Sequence, residues 1–273
     1  IRMVNNMAKY LIGLDDGHGI NTAGKRTVAL KEDVTFNGKT RKKGTIIHEN
    51  EFNEVIMRKV EPHLKRNGID YIELAPTTAD TPLSTRANTA NKNKCDLVIS
   101  LHANALTGDK WQTKAYGLVV IKTKGCQSKT DKLANIAYKY LSKVDFPSDG
   151  ETKYGVRTDT DISGFTLAIL RQTTMPAILI ELGFMDNWED VKVMCTEKFQ
   201  NECAEAITKA LCECLCVTYK AEVVVNKPIT STSNDSTVYR VIAGSYSDKA
   251  NADKQVEELK KQGIDAFVGS YKL

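Results

Sequence analysis

The chain lacks any long apolar run. None of its hydrophobic stretches approaches the ~18 residues that a transmembrane helix needs, so no membrane insertion is expected. It also lacks a leader of basic, apolar and small residues. Instead Met7-Ala8-Lys9 leads into the first strand, and Ile1 to Asn6 read as an extension outside the fold. No cysteine occurs before Cys95, and the seven present form no CxxC pair. An odd, unpatterned set argues against a disulfide framework and for a reducing cytoplasm as the place of synthesis. Cys212, Cys214 and Cys216 read as small hydrophobes at a helix end. No basic stripe interleaved with aromatics is visible, so nucleic acid is not an expected partner. The net charge of +4 only mildly favours an anionic one. Neither G-x-G-x-x-G nor H-E-x-x-H occurs, which removes the dinucleotide loop and the zinc helix of that signature.

What is present is an alternation. The apolar run Tyr10–Leu14 reads as a buried strand, followed by Asp15-Asp16-Gly17-His18-Gly19. Asn37-Gly38 predicts a hairpin turn. Glu49–Asn67 predicts a helix, with Phe52, Val55, Ile56, Val60 and Leu64 at helical spacing and Gly68 as its stop. Strand Ile69–Leu74, helix Leu83–Lys94, strand Asp96–Leu101, strand Gly117–Lys122 and helix Asp131–Val144 follow. Phe146–Ser163 reads as a polar connection and Leu167–Leu170 as a short strand. Strand Ala177–Leu182, a short helix capped by Asn187, and a helix from Phe199 to about Cys216 complete this part. The predicted class is α/β: a twisted, mostly parallel sheet with helices on both faces, plus a small C-terminal βαβ module. Residues 7–217 form the expected main domain, 218–237 a Ser/Thr/Asn-rich linker, and 238–273 the small module. That module has strands at Val238–Ile242 and Ile264–Val268 around a helix at Asn251–Gln262, and is too small to bury a core alone.

Three strands end on chemistry. If parallel, they bring His18, His102 and Glu181 to one edge, where open α/β sheets bind ligands. Two imidazoles with a carboxylate suit a catalytic zinc, which takes three protein ligands and leaves a fourth position open. The third ligand is Glu49 or its neighbour His48. Adjacent helical residues point about 100° apart, so only one of the two serves. Glu181 interrupts an apolar strand, where a charge is costly without a task or a partner. It reads either as a general base, taking a proton from metal-activated water and passing it to a leaving amine, or as half of a buried salt bridge with Arg171. His63 reads as structural, and the glycines at 17, 19 and 24 lack phosphate-loop spacing.

In order, Asp15-x-Gly17-His18-Gly19, Glu49, Arg86 with Ala90-Asn91, Ser100–Ala105, and Met175-Pro176-Ala177-x-Leu179-x-Glu181-Leu182-Gly183-Phe184-x-x-Asn187 closely resemble the zinc-dependent N-acetylmuramoyl-L-alanine amidases of the Amidase_3 type. The resemblance covers Lys9 to Val217. It implies cleavage of the amide between the lactyl group of muramic acid and L-alanine of the stem peptide. It implies zinc on His18, Glu49 and His102, thereby choosing Glu49 over His48, with Glu181 as the catalytic carboxylate. Arg86, Asn91 and Asn187 are expected to bind and orient substrate or to shape the edge of the site. Asp16 stands where the family often has Pro. Alternatives are a zinc peptidase cutting within the stem peptide and a non-catalytic wall-binding protein.

The tail, Tyr239–Ser247 with Ala252, Leu259, Gly263 and Ala266–Val268, looks like the first half of a SPOR domain. Such domains bind glycan strands stripped of stem peptides, so peptidoglycan is the expected partner throughout. A half-module also fits a homodimer that completes one sheet from two tails. An amidase without an export leader suits an endolysin, made in the host cytoplasm and acting on the wall after the membrane is breached, and equally a wall lysin released from a dying mother cell; the endolysin is the preferred reading.

Overall fold

The computed structural model describes residues 9–146, 154–222, 246–261, 264 and 266–269. The chain divides into two units, Ile1–Lys220 and Ala221–Leu273.

The first unit is built on a six-stranded sheet. Its strands are β1 (Leu11–Asp15), β4 (Asp70–Glu73), β5 (Leu97–Asn104), β6 (Leu118–Lys122), β7 (Gly155–Thr158) and β8 (Ala177–Phe184), in the order β4-β1-β5-β8-β6-β7. The strands β4, β1, β5 and β8 are mutually parallel, as the alternation predicts. Strand β6 runs antiparallel to β8, and β7 follows the direction of β6. The cause is the connection. A parallel return needs a crossover, usually a helix, and residues 105–117 between β5 and β6 contain none. The chain therefore re-enters the sheet from the edge where β5 ended. A separate hairpin, β2 (Val34–Phe36) and β3 (Lys39–Arg41), turns at Asn37-Gly38, both with positive φ as a two-residue turn of this type requires.

Both faces of the sheet are covered. Helices α1 (Glu49–Arg66), α3 (Ser128–Leu141) and α7 (Glu197–Cys214) bury their apolar stripes on one face against Ile12, Leu14, Ile99, Leu101 and Ile180. Helix α2 (Leu83–Lys92) and the short α5 (Ala168–Gln172) cover Leu74, Val98, Val119 and Leu179 on the other. Central strands are thus apolar on both sides, which is why they read as continuous runs rather than alternations. The α1 stripe of Phe52, Val55, Ile56, Val60 and Leu64 is buried as its spacing predicts, and His63 lies on the same helix, 3.3 Å from Arg66.

Two expectations here are corrected. Residues 167–170 are not a strand: Ala168–Gln172 is helical, with Ile169 and Leu170 buried and Thr173 Oγ1 donating to the Ile169 carbonyl. A four-residue apolar run has no period long enough to tell the two apart. The connection 146–163 also holds structure, namely β7 and helix α4 (Asp159–Ser163). As an edge strand β7 needs one partner only, so it carries little apolar signal. Asn187 caps helix α6 (Trp188–Met194), accepting from the Glu189 and Asp190 amides.

In the second unit, helix α8 spans Lys249–Lys261. The expected strand Val238–Ile242 lies outside the described residues. The described residues of the other, 264 and 266–268, are not in a strand. No helix among the described residues is long and apolar enough to cross a membrane. All seven cysteines are free thiols.

Candidate active site

The first ligand is delivered by a strained turn. After β1 the backbone passes through Gly17 at φ +30° and His18 at φ +62°. A side chain at Gly17 is excluded, since its Cβ would lie 2.5 Å from the His102 ring and 2.6 Å from the Leu101 carbonyl. A non-glycine residue at positive φ is costly and persists only when its surroundings hold it. Three contacts do so. Asn53 Nδ2 donates to the Gly17 carbonyl at 3.2 Å, Arg86 Nη2 to the His18 carbonyl at 2.7 Å, and Thr22 Oγ1 accepts from the Gly19 amide at 3.0 Å. Asp16 is buried here, accepting from Asn50 Nδ2 at 3.1 Å, and burial raises its carboxyl to about 6.

Arg86 braces the edge of the site from beneath the His18 turn. Only 1% exposed, it pairs with Asp15 Oδ1 at 2.5 Å and Asp80 at 3.0 Å, and donates to the Thr81 carbonyl at 2.8 Å. The other Asp15 oxygen accepts from Ser100 Oγ at 2.5 Å, which ties β1 to β5 under the site. Removing one partner of a buried ion pair strands the other charge. Arg86→Leu is therefore expected to cost roughly 3–5 kcal/mol of stability in denaturant unfolding. A loss below ~1 kcal/mol contradicts this role.

Asn187 is buried and Asn91 is half-buried, and both tie neighbouring segments together. Asn91 bridges α2 to the β8 approach through the Gln172 carbonyl and the Thr174 amide. Asn187 caps α6 and donates to the Ala115 carbonyl at 2.9 Å. Sequence reasoning missed Asp186, which is buried. Its carboxylate accepts from the Leu106, Thr107 and Gly108 amides at 2.8, 2.6 and 3.1 Å, clamping the loop beyond His102.

The structure brings His18, Glu49 and His102 together. Candidate donor atoms of all three lie within 4.8 Å of one another. Glu49 is fully buried in the first turn of α1. Its Oε1 meets His102 Nδ1 at 2.9 Å and accepts from the Ala103 amide at 3.2 Å. Its Oε2 lies 3.5 Å from His18 Nε2. His48 instead belongs to an antiparallel bridge with Arg26. Burial drives the His18 imidazole down to about 4, with His102 and Lys25 adding to the effect. Burial pushes His102 down too, but the Glu49 hydrogen bond and charge outweigh it and raise the net value. Burial pushes Glu49 up, and the two histidines more than reverse this.

Glu181 is the register partner of His102 across β5 and β8. Its Oε2 is enclosed and has no hydrogen-bond partner. Burial raises its carboxyl to about 7, with the Glu49 charge adding and His102 and Lys25 opposing. Among the described residues it forms no salt bridge. Arg171, the partner weighed from sequence, is exposed at the end of α5.

These residues fit a bound zinc. Ligands at ~2.0–2.1 Å in a tetrahedron stand roughly 3.4 Å apart, close to the 3.5 Å between His18 Nε2 and Glu49 Oε2. Glu49 Oε2 and Glu181 Oε2 are both enclosed without hydrogen bonds. An enclosed carboxylate oxygen without a hydrogen bond is costly unless a cation completes its surroundings. The donors are two nitrogens and one oxygen, with no thiolate, as in open catalytic sites rather than closed structural ones.

Residues 12–213 match the N-acetylmuramoyl-L-alanine amidase family, and residues 218–268 match the SPOR domain. An endolysin of Bacillus phage SPP1 is 29% identical over 210 residues, covering 75% of this chain and 66% of that protein. The sporulation-specific N-acetylmuramoyl-L-alanine amidase of Bacillus subtilis is 26% identical over 257 residues, covering 94% of this chain and 83% of the other. The catalytic domain of CwlV, an N-acetylmuramoyl-L-alanine amidase from Bacillus (Paenibacillus) polymyxa var. colistinus, superposes with a TM-score of 0.59 at 26% identity, covering 77% of this chain and 99% of that domain. With residues 12–213 of its 273 matched and the fold shared, the chain belongs to the N-acetylmuramoyl-L-alanine amidase family.

Proposed function

We propose that the chain hydrolyses the amide between the lactyl group of N-acetylmuramic acid and L-alanine of the stem peptide. The observation that carries this reading is the enclosed, unpartnered Glu181 carboxylate oxygen, one strand away from His102 and facing a His-Glu-His donor set. His18, Glu49 and His102 would hold zinc. When bound, zinc supplies Lewis-acid polarisation of the scissile carbonyl and a lowered pKa for the attacking water. Glu181 accepts that water's proton as oxygen adds to the carbonyl carbon. It then delivers the proton to the departing nitrogen as the C–N bond breaks. The products are a lactyl carboxylate and a free L-alanine amine. The Ala103 amide fixes the Glu49 carboxylate while this happens.

Residues 7–217 are the catalytic part in this reading, 218–237 a linker, and 238–273 a wall-binding module. The boundary between the two compact units after Lys220 supports the division. The SPOR match begins within the stretch read as linker. Free thiols throughout and the likeness to a phage endolysin support synthesis in a host cytoplasm, with release onto the wall at lysis. Pairing of two tails is expected to give a dimer in sedimentation at micromolar concentration, and a strictly monomeric profile removes it.

The test is a digest of purified peptidoglycan by the zinc-loaded chain, read by mass spectrometry and amino-terminal labelling. Free stem peptides with a new L-alanine amine support the proposal. New termini elsewhere in the peptide move the bond. Retained wall binding with no products leaves a binding protein.

A further inference from the structure

Lys25 is a cation at the mouth of the site that the mechanism above leaves unused. Its backbone is pinned: the Lys25 carbonyl accepts from the Glu49 amide at 2.9 Å, and the next residue, Arg26, bridges to His48. The side chain therefore starts from a fixed point beside the first turn of α1. Its Nζ lies 3.7 Å from Glu49 Oε2, beyond hydrogen-bond reach, and the side chain is 45% exposed. Lys42 and Lys139, by contrast, pair with surface carboxylates at 2.8 and 2.7 Å. The salt-bridge partner of Lys25 among the described residues is Glu49, a buried group already engaged by His102. The Lys25 charge also bears on both His18 and Glu181. Half-exposed and 3.7 Å from Glu49 Oε2, the ammonium stands at the solvent side of the cluster.

The reacting carbonyl must sit beside that cluster. An amide attacked by water has to lie within reach of Glu181 and of the His18-Glu49-His102 cluster together, and its oxygen becomes negative as the tetrahedral centre forms. Once Glu49 serves as a ligand, its charge no longer holds the Lys25 ammonium, and the flexible four-carbon stem can turn to the substrate. We propose that Lys25 is a catalytic residue: its ammonium donates a hydrogen bond to the scissile carbonyl oxygen as that oxygen gains negative charge. The proposal rests on the amidase reading above. Lys25 keeps its proton throughout. The C–O bond forms from water, the C–N bond breaks, and the proton travels through Glu181 to the amine. A substrate-holding role predicts a different kinetic signature, because binding that is equal in ground and transition states changes KM alone.

The experiment compares wild type, Lys25→Met and Lys25→Arg, all zinc-loaded, on a soluble muramyl peptide. Loss of one oxyanion donor costs ~10²–10³-fold in kcat. A half-exposed, solvent-screened lysine is expected at the lower end, so Lys25→Met should lose about 10²-fold in kcat with KM nearly unchanged. Lys25→Arg, which keeps the charge, should recover most of this. Zinc content and thermal midpoint should match wild type. A tetrahedral phosphinate analogue of the amide should bind Lys25→Met about 10²-fold more weakly in calorimetry, while a muramyl fragment without the scissile group binds equally. Unchanged kcat, a change confined to KM, or lost zinc each overturns the proposal. Active wild type with unaltered Lys25→Met removes this proposal alone, whereas inactive wild type removes the amidase reading and this proposal with it.

Discussion

Glu181→Gln is expected to keep its zinc and lose at least ~10²-fold in kcat, the usual scale for a missing acid–base group. Gln has nearly the same shape and can still fill the position beside His102, so the sheet register survives the change. What disappears is the ability to accept and return a proton. Zinc content by elemental analysis and turnover by stem-peptide release check the two halves together. Near-normal turnover refutes the assignment. The pH dependence has a definite sign. A base must be ionised, so activity falls as pH drops through the value of this carboxyl. That value is about 7 in the metal-free protein, where burial holds it up. A cation on the neighbouring ligands favours the ionised form, so the acid limb of the loaded enzyme lies below 7. Stability carries the opposite mark. In the metal-free fold this carboxyl binds its proton more tightly than in the unfolded chain, so it weakens the fold as pH rises from the ordinary carboxylate range to about 7. Metal-free Glu181→Gln is therefore expected to melt above wild type at pH 8, with the gap closing toward pH 5.

The second large effect is loss of the metal itself. Glu49 joins the two imidazoles and sits in the first turn of α1. Glu49→Ala is expected to bind no zinc and to release stem peptide only at background rate, and His18→Ala and His102→Ala should behave alike. A readout independent of turnover follows from linkage: a ligand bound only by the folded state raises the melting temperature. Added zinc should raise that of wild type and leave that of Glu49→Ala unmoved. The wild-type shift should shrink as pH falls, because the raised His102 proton must leave when metal enters. An equal shift in Glu49→Ala overturns the ligand assignment.

Much of this site was legible from the linear chain. His18 and His102 follow largely apolar runs, and Glu181 interrupts one. Such runs are strands buried on both faces, and parallel strands share one carboxyl edge. Glu49 was legible only as one of two neighbours; its full burial and its approach to both imidazoles single it out in space. The direction of Arg86 was not legible, because polarity near a helix start says nothing of it. Its main partner, Asp15, is 71 residues away. Lys25 and Asp186 carried no local signal at all, since each acts on a loop or helix remote in sequence.

By itself the sequence determined what local chemistry determines: which runs become strands, which stripes become helical faces, where Asn37-Gly38 turns, and which strand ends carry imidazole and carboxylate. The tertiary structure alone decided the direction of β6, the helical state of residues 168–172, the inward turn of Arg86, and the approach of Lys25 to Glu49. These depend on contacts between residues far apart in the chain. Their energies arise from burial and charge pairing in the folded molecule, which no periodicity or short motif encodes.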